Sequence, residues 1–421
     1  MSNQGMNRRA FVRSTTLAAA TFSIVPRSVL GGKEFTAPSD QLTKAVIGVG
    51  AMGVYHFDYE GRLVAICDVD SNHLEKAQTL AKDQIDVYSD YRELLQQPDI
   101  DVVHIATPPH WHGVMAADAA RAGKDIWCEK PMTRTIGEGI ALKKVVQQHG
   151  RMFRLNTWFR FADNFYGLGT PIHPVKKLVE NRAFGWPLKI TLNRATGFDW
   201  KFFWSGRTDL DAFSVPDHLN FDMWLGPAPY KPYHPDRVHV KFRGYWDYDG
   251  GGLGDMGQHY LDPVQYLLEK DDTSPTQVFV DAPLQHYDAA GSWRRIEFTY
   301  ADGCKIVLDG ENRDKDAAFI EGPSGKLFPG LKSDLPNIHQ LISSLPDAAP
   351  QLTQFSRSVR TREKFTLNEN NGHRSCTLVN LGVIALRLGQ NLTYDPQKEQ
   401  FIGNEVANRM INQSMRGAWS V

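Results

Sequence analysis

The chain has 421 residues, with 47 Lys+Arg against 48 Asp+Glu and a formal net charge of -1. That length allows two domains, and balanced charge without a basic block excludes an electrostatic footprint for nucleic acid. Beyond the N-terminal segment no stretch reaches about 18 uninterrupted apolar residues, which excludes a membrane-spanning helix there.

The first segment, residues 1–32, reads as an export signal. Asn7-Arg8-Arg9-Ala10-Phe11-Val12-Arg13 precedes a mild apolar run from Leu17 to Val25, a charged region followed by a short apolar one. The adjacent arginines with Phe11 resemble a twin-arginine signal, although Asn7, Val12 and Arg13 depart from its usual residues. The expected location is the periplasm, reached in folded form with any nucleotide already loaded.

Residues 33–156 open with a polar linker and then alternate strand and helix, the pattern of a parallel sheet with helices on both faces. The spacing predicts strands at Ala45–Ile47, Leu63–Cys67, Val102–Ala106, Asp125–Cys128 and Met152–Asn156. Helices are predicted at Leu74–Ala81, Tyr91–Gln96 (capped by Asp90), Val114–Ala122 and Thr135–His149. Gly123 and Gly150 stand where helix C-terminal glycines belong. The first crossover is short, leaving room for barely two helical turns between Gly53 and the second strand.

The first strand runs into Gly48-Val49-Gly50-Ala51-Met52-Gly53. Gly48 permits a tight turn, Gly50 lets a pyrophosphate approach the backbone, and Gly53 lets the next helix pack close to the sheet, with its N-terminus facing the phosphates. Asp68 ends the second strand 20 residues after Gly48, the spacing at which a carboxylate meets the adenosine ribose hydroxyls. Gly48, Gly50, Met52, Gly53 and Asp68 are therefore candidate cofactor residues. A carboxylate beside the ribose accepts from a 2′-hydroxyl and repels a 2′-phosphate, so NAD is expected rather than NADP.

From residue 157 glycine, proline and aromatics increase. Leu188–Thr196, Gln277–Asp281, Trp293–Tyr300 and Cys304–Leu308 read as antiparallel strands, the last two joined by a hairpin at Ala301-Asp302-Gly303. Residues 157–372 thus form an α+β domain on a large open sheet. Residues 373–421 carry an amphipathic helix at Ser375–Leu388 and a tail. An open sheet needs one face covered, and no run of helices in this half is sufficient to do it, so a dimer or tetramer is expected. Cys67, Cys128, Cys304 and Cys376 match no metal or redox spacing, and no metal site or disulfide is expected. The tryptophans suit a packed core or a sugar-binding cleft.

Two constellations carry chemistry. Thr107-Pro108-Pro109-His110-Trp111-His112 and Glu129-Lys130-Pro131 both follow strands, at the edge where doubly wound sheets bind ligands. An ammonium at Lys130 there could stabilise a developing alkoxide. Further on, Gly250-Gly251-Gly252-Leu253-Gly254-Asp255-Met256-Gly257-Gln258-His259 turns into a helix. Asp255 and His259 lie four residues apart, on one helical face, and Asp262 is a candidate for a structural hydrogen bond.

VIGVGAMG, CDVD, ATPPHWH, AGKDIWCEKP and GGGLGDMGQHYLD, in this order, closely resemble the glucose–fructose oxidoreductase, inositol dehydrogenase and rhizopine catabolism (Gfo/Idh/MocA) family. The resemblance runs from about Lys44 to the C-terminus, and WLGPAPYKPYHPDRVH is similar to its exported bacterial members. It implies a Rossmann domain followed by an α+β domain, with a closing helix that returns near the first. It also implies hydride transfer between a nicotinamide and a hydroxyl-bearing carbon of a sugar, glycoside or polyol. By the same resemblance Lys130, Asp255 and His259 are the expected catalytic set, Glu129 meets the nicotinamide ribose, and Thr107, Pro108 and His110 line the cofactor. His259 is expected to act as general base, Lys130 to stabilise the oxyanion and Asp255 to orient. Trp158, Arg160, His239 and Tyr245 are candidate substrate contacts. The alternative is an NAD-dependent glycosidase that oxidises transiently, eliminates and recycles its cofactor, with His239, Tyr245 or Tyr248 as the extra base.

Overall fold

The structure, a computed structural model, describes residues 41–161 and 169–421. The twin-arginine segment lies outside the described residues.

Six strands build the first sheet: β1 (Thr43–Ile47), β2 (Arg62–Cys67), β3 (Asp86–Tyr88), β4 (Val102–Ile105), β5 (Asp125–Glu129) and β6 (Phe153–Asn156). Their order is β3-β2-β1-β4-β5-β6, all neighbours parallel. Strand order reverses between β1 and β4, which opens a crevice at their carboxyl ends. Strands β4 and β5 are buried along their whole length, as the near-continuous apolar runs of a doubly covered parallel sheet require. The predicted strands are all present within a residue or two. The sequence reading missed β3, a three-residue edge strand with two exposed residues and no readable alternation.

Helices α1 (Ser71–Leu80), α2 (Pro109–Arg121) and α3 (Ile136–Gln148) flank this sheet. Asp70 caps α1 by accepting from the Asn72 N–H at 2.9 Å, and Thr135 caps α3 by accepting from Glu138 N–H at 3.2 Å. Asp90 caps the short helix Tyr91–Leu95 as expected, accepting from Arg92 N–H at 2.9 Å. Alpha-helix is replaced in the first crossover by a six-residue 3-10 turn, Gly53–Asp58. The helix dipole expected to face the phosphates is therefore not built.

The second sheet has nine strands: β7 (Lys189–Leu192), β8 (Gln277–Asp281), β9 (Arg295–Thr299), β10 (Lys305–Asp309), β11 (Ile320–Gly322), β12 (Gly325–Phe328), β13 (Lys332–Ser333), β14 (Leu392–Asp395) and β15 (Gln400–Phe401). Their order is β13-β12-β11-β7-β10-β9-β8-β14-β15. Pairing is antiparallel except between β7 and β10.

One face of this sheet is covered by this chain itself, which corrects the sequence expectation. Helices α4 (Ile172–Glu180), α5 (Gly251–Leu267) and α6 (Glu369–Leu388) bring Val175, Leu253, Tyr260 and Leu378 into one core with Ile190, Ile296, Phe298 and Leu308 of the strands. Leu308 is fully buried there, and truncation to Ala would cost about 2–5 kcal/mol. The other face carries Lys189, Arg295, Glu297 and Glu321 in ion pairs, a composition that an antiparallel sheet can present to water. The C-terminal segment packs against the first domain, Cys376 Sγ donating to Thr133 C=O, and it also adds strands that the sequence did not reveal. Beyond α6 the chain adds β14 to β8, so it extends the second sheet, and it returns to the first domain through Gly137 N–H donating to Ile411 C=O at 2.8 Å.

Candidate active site

The glycine motif forms a cradle that a side chain would fill. Gly48 takes φ +84°, and a Cβ there would lie 2.9 Å from the Ala106 carbonyl. At Gly53 a Cβ would stand 1.8 Å from Gly48 O, so the loop folds back on itself only without side chains. The imidazole of His73 packs over Gly50, 3.0 Å from its ideal Cβ position. Gly50, Ala51 and Met52 line the crevice at the carboxyl ends of β1 and β4, and Asp68, Thr107 and Pro108 continue it. Asp68 is held in place by the backbone: Oδ2 accepts from Val49 N–H at 2.9 Å and Oδ1 from Asp70 N–H at 3.0 Å. A carboxylate has further lone pairs for a ribose diol. These residues fit a dinucleotide.

His110 is not part of that lining. It is buried, with Nε2 3.0 Å from Trp224 C=O, and burial pushes its pKa down to about 3. It is a packed structural histidine. The residue that joins the two sequence loops is His112, which sequence reasoning did not single out. Its Nδ1 lies 2.7 Å from Pro131 C=O and its Nε2 2.8 Å from Thr107 C=O, so it ties the Thr107 turn to the Lys130 loop. Burial keeps it neutral, and a neutral ring donates to one of the two carbonyls at a time.

Glu129, at the end of β5, lines the crevice. His56 Nε2 lies 2.8 Å from its Oε1, and Asn156 Nδ2 donates to the same oxygen at 2.6 Å. Burial pushes its pKa up, but these contacts and Lys130 together hold it below the ordinary range.

Lys130 meets Asp255 where the domains join. Its Nζ donates to Asp255 Oδ1 at 3.0 Å and to the Asp255 carbonyl at 2.6 Å. Arg243 Nε donates to the same Oδ1 at 2.8 Å. Burial alone would raise the pKa of Asp255, and the two cations reverse that, holding it well below the usual carboxylate range. An ammonium has three donors, so one remains for a ligand.

His259 stands beside this pair, buried, and is absent from the crevice wall, which includes Lys130, Asp249 and Asp255. Burial and the charge of Lys130 keep it neutral. The Trp158 N–H donates to its Nδ1 at 3.3 Å, so the neutral ring carries its hydrogen on Nε2, which is buried without a partner. That tautomer is the opposite of the one the expected general base needs. Trp158 stacks on the ring at 4.3 Å between centroids and is 42 % exposed, a flat platform beside the site.

The other substrate candidates fall elsewhere. Arg160 is 1 % exposed and ion-paired to Asp262 at 2.9 Å and to Asp271. It is a structural residue, and Asp262 has the structural role expected of it. Tyr245 is buried under Arg237, with its ring 4.6 Å from that guanidinium. Tyr248 is fully buried against Trp224. Neither tyrosine is in the crevice wall. His239 does line the crevice, but at the adenosine end: Nε2 is 3.2 Å from Asp70 Oδ2, and its ring meets His73 edge-on at 4.8 Å. Asp70, His73 and His239 bring donor atoms within 4.8 Å of one another, a cluster that the sequence spacing did not reveal. Nearby, Asn220 N–H donates to Val69 C=O and Ser71 N–H to His218 C=O, both at 2.9 Å. A strap from the second domain thus closes over the ribose side.

Sequence reasoning also missed Asp249. It is 3 % exposed and lines the crevice beside Asp255 and Lys130. Burial and the charge on Asp255 push its pKa up, to about 7. The signal was its position at the head of the glycine run. A Cβ on Gly254 would lie 2.1 Å from Asp249 Oδ1, so that glycine makes room for the carboxyl.

A parallel sheet of order 3-2-1-4-5-6, a glycine cradle at its switch point and a lysine–aspartate pair across two domains define a two-domain protein of the dinucleotide-binding class. The chain belongs to the Gfo/Idh/MocA oxidoreductase family: residues 42–157 match its NAD-binding Rossmann fold and residues 168–421 its C-terminal alpha/beta domain. The uncharacterized oxidoreductase YrbE of Bacillus subtilis is 33 % identical over 159 residues, 36 % of this chain and 44 % of that protein. Glycosyl hydrolase family 109 protein 2 of Shewanella sp. (strain ANA-3) is 34 % identical over 164 residues, 32 % of this chain and 35 % of that protein. The chain thus spans less than half the length of these curated relatives. In fold it is similar to the WlbA dehydrogenase from Bordetella pertussis in complex with NADH and UDP-GlcNAcA, with TM-score 0.57 and 16 % identity, over 84 % of this chain and 99 % of that one. Myo-inositol 2-dehydrogenase from Lactobacillus plantarum has TM-score 0.52 and 17 % identity, over 84 % and 100 %.

Proposed function

We propose that this protein is an NAD-dependent oxidoreductase that oxidises a hydroxyl-bearing carbon of a sugar, glycoside or polyol. The observation that carries this reading is the Lys130 ammonium, held by Asp255 at the domain boundary with a donor to spare, in the same crevice as Glu129 and the glycine cradle. NAD, when bound, supplies the hydride acceptor. Met52, Asp68, Thr107 and Glu129 hold and orient it, while Lys130 stabilises the oxygen that becomes negative as its proton leaves. Trp158, stacked on His259, covers the C–H face of a sugar ring.

The Shewanella similarity raises the glycosidase alternative. Of its three candidate bases, Tyr245 and Tyr248 lie outside the crevice wall, and His239 lines it at the adenosine end, 3.2 Å from Asp70 Oδ2. A panel of sugars, glycosides and polyols, followed by absorbance of reduced cofactor and mass spectrometry, separates the two. Reduced cofactor with a keto product is expected. Released aglycone without reduced cofactor would give the glycosidase.

Two further proposals rest on sequence. Arg8, Arg9 and Phe11 before an apolar run support twin-arginine export to the periplasm. Replacing both arginines with lysine should empty the periplasmic pool, and an unchanged pool would refute it. Family resemblance supports pairing through the outer face of the second sheet, and a monomer by light scattering at micromolar concentration would exclude it.

A further inference from the structure

We propose that Asp249 takes the proton of the reacting hydroxyl, a role that rests on the oxidoreductase reading above. Three side chains at the domain boundary are in question as acceptors: His259, Asp255 and Asp249. His259 has its one lone-pair nitrogen occupied by the Trp158 N–H at 3.3 Å, and the other nitrogen carries the hydrogen. Asp255 is committed to Lys130 and Arg243 through Oδ1, and a carboxylate held by two cations is a weak base.

His259 Nε2 is likewise buried without a partner, but it is a donor and lies off the crevice wall; Asp249 is an acceptor within it. No hydrogen bond or ion pair to its carboxyl is found among the described residues, and its Oδ1 is buried without a partner. A buried carboxyl left unpaired is costly and calls for an explanation. It lines the same crevice as Lys130, and Gly254 leaves it room. The charged groups facing it are Asp255 from α5, Lys130 from the loop after β5, Arg243 from the 3-10 turn His239–Gly244, and Arg134, with the positive end of α5 two residues on. Burial and Asp255 dominate and bring it near neutrality, where a general base is most effective.

The step balances. The C–H hydrogen leaves carbon with its bonding pair and passes to the bound nicotinamide. The O–H bond breaks, its electron pair becomes the second C–O bond, and the proton goes to a carboxylate oxygen of Asp249. Two electrons leave the alcohol and both reach the cofactor. Lys130 holds the oxygen throughout, and Asp249 later returns its proton to water.

The test compares wild type with Asp249→Asn, Asp249→Ser and His259→Gln. NAD binding confirms that each is folded. Difference infrared spectra, which need no turnover, read the carboxyl as it titrates. Buried Glu138 and Asp262 also have raised pKa values, so the expected result is a carboxylic acid component titrating near neutral pH that appears in the wild-type-minus-variant difference and is missing from both Asp249 variants. Their kcat falls about 10²–10⁴-fold, with NAD affinity unchanged and the acid limb of the pH profile gone, whereas His259→Gln keeps that limb. A wild-type-minus-variant difference without that component, or an Asp249→Asn enzyme that keeps its acid limb, overturns the assignment whatever the activity. A wild type that shows the component but oxidises nothing in the panel overturns the oxidoreductase reading, and this role with it.

Discussion

Lys130 and Asp255 meet at 3.0 Å, one from the end of the parallel sheet and one from the helix that covers the second sheet. Neither domain holds the ammonium alone. The site exists only when the two are docked, so domain packing and catalysis are one problem. Lys130→Met removes one preorganised donor, and loss of such a donor costs about 10²–10³-fold in kcat. NAD affinity should stay close to wild type, because the cradle residues are untouched. Stopped-flow turnover and cofactor titration on the same preparation check this.

The unpaired carboxyl at Asp249 has a consequence for stability. Its folded pKa of about 7 lies above the unfolded value of about 3.9. A carboxyl raised on folding binds its proton more tightly in the native state. Its penalty is therefore absent below about pH 4 and grows as the pH rises toward 7. Asp249→Asn should melt higher than wild type at pH 8, with the gain shrinking toward pH 5. Scanning calorimetry at both pH values checks the sign, and equal gains at both would contradict it.

At the other end of the crevice, His239 reaches from the second domain to Asp70 and His73. That strap lies over the ribose side. His239→Ala should loosen it and speed NAD release. Burial lowers the His239 pKa and keeps the ring neutral, so the contact with Asp70 is a hydrogen bond, and such a bond contributes about 1 kcal/mol, which is about fivefold in Kd. Cofactor dissociation kinetics measure it, with turnover at saturating NAD nearly intact.

Asp68 carries the cofactor choice. Asp68→Ser removes the charge that repels a 2′-phosphate. The ratio of NAD to NADP affinity should fall by about tenfold or more, one or two unit-charge contacts at partial exposure. Equal binding of the two cofactors by wild type would contradict the assignment.

The parts of the site that the sequence revealed are local. Gly48, Gly50 and Gly53 are legible because a turn this tight excludes side chains at those positions, and Asp68 because strand and spacing place it. The parts it concealed depend on distant partners. Arg160 reads as a cleft residue until Asp262 and Asp271, 102 and 111 residues away, claim it. The tautomer of His259 is set by the backbone of Trp158, 101 residues away. Asp249 had no motif of its own, and its burial becomes visible only when Gly254 folds against it. The strands β11 to β15 are two to four residues long, too short for an alternation to show.

Hydride transfer from a carbinol carbon is the central claim, and isotope tracing tests it most directly. A polyol or sugar that turns over is supplied with deuterium on the carbon that is oxidised, and the reduced cofactor is recovered for mass spectrometry. The expected result is deuterium on the reduced nicotinamide, a keto product, and a slowed rate that Lys130→Met lowers further. Deuterium lost to water or retained in a cleaved product, with no reduced cofactor formed, would contradict it.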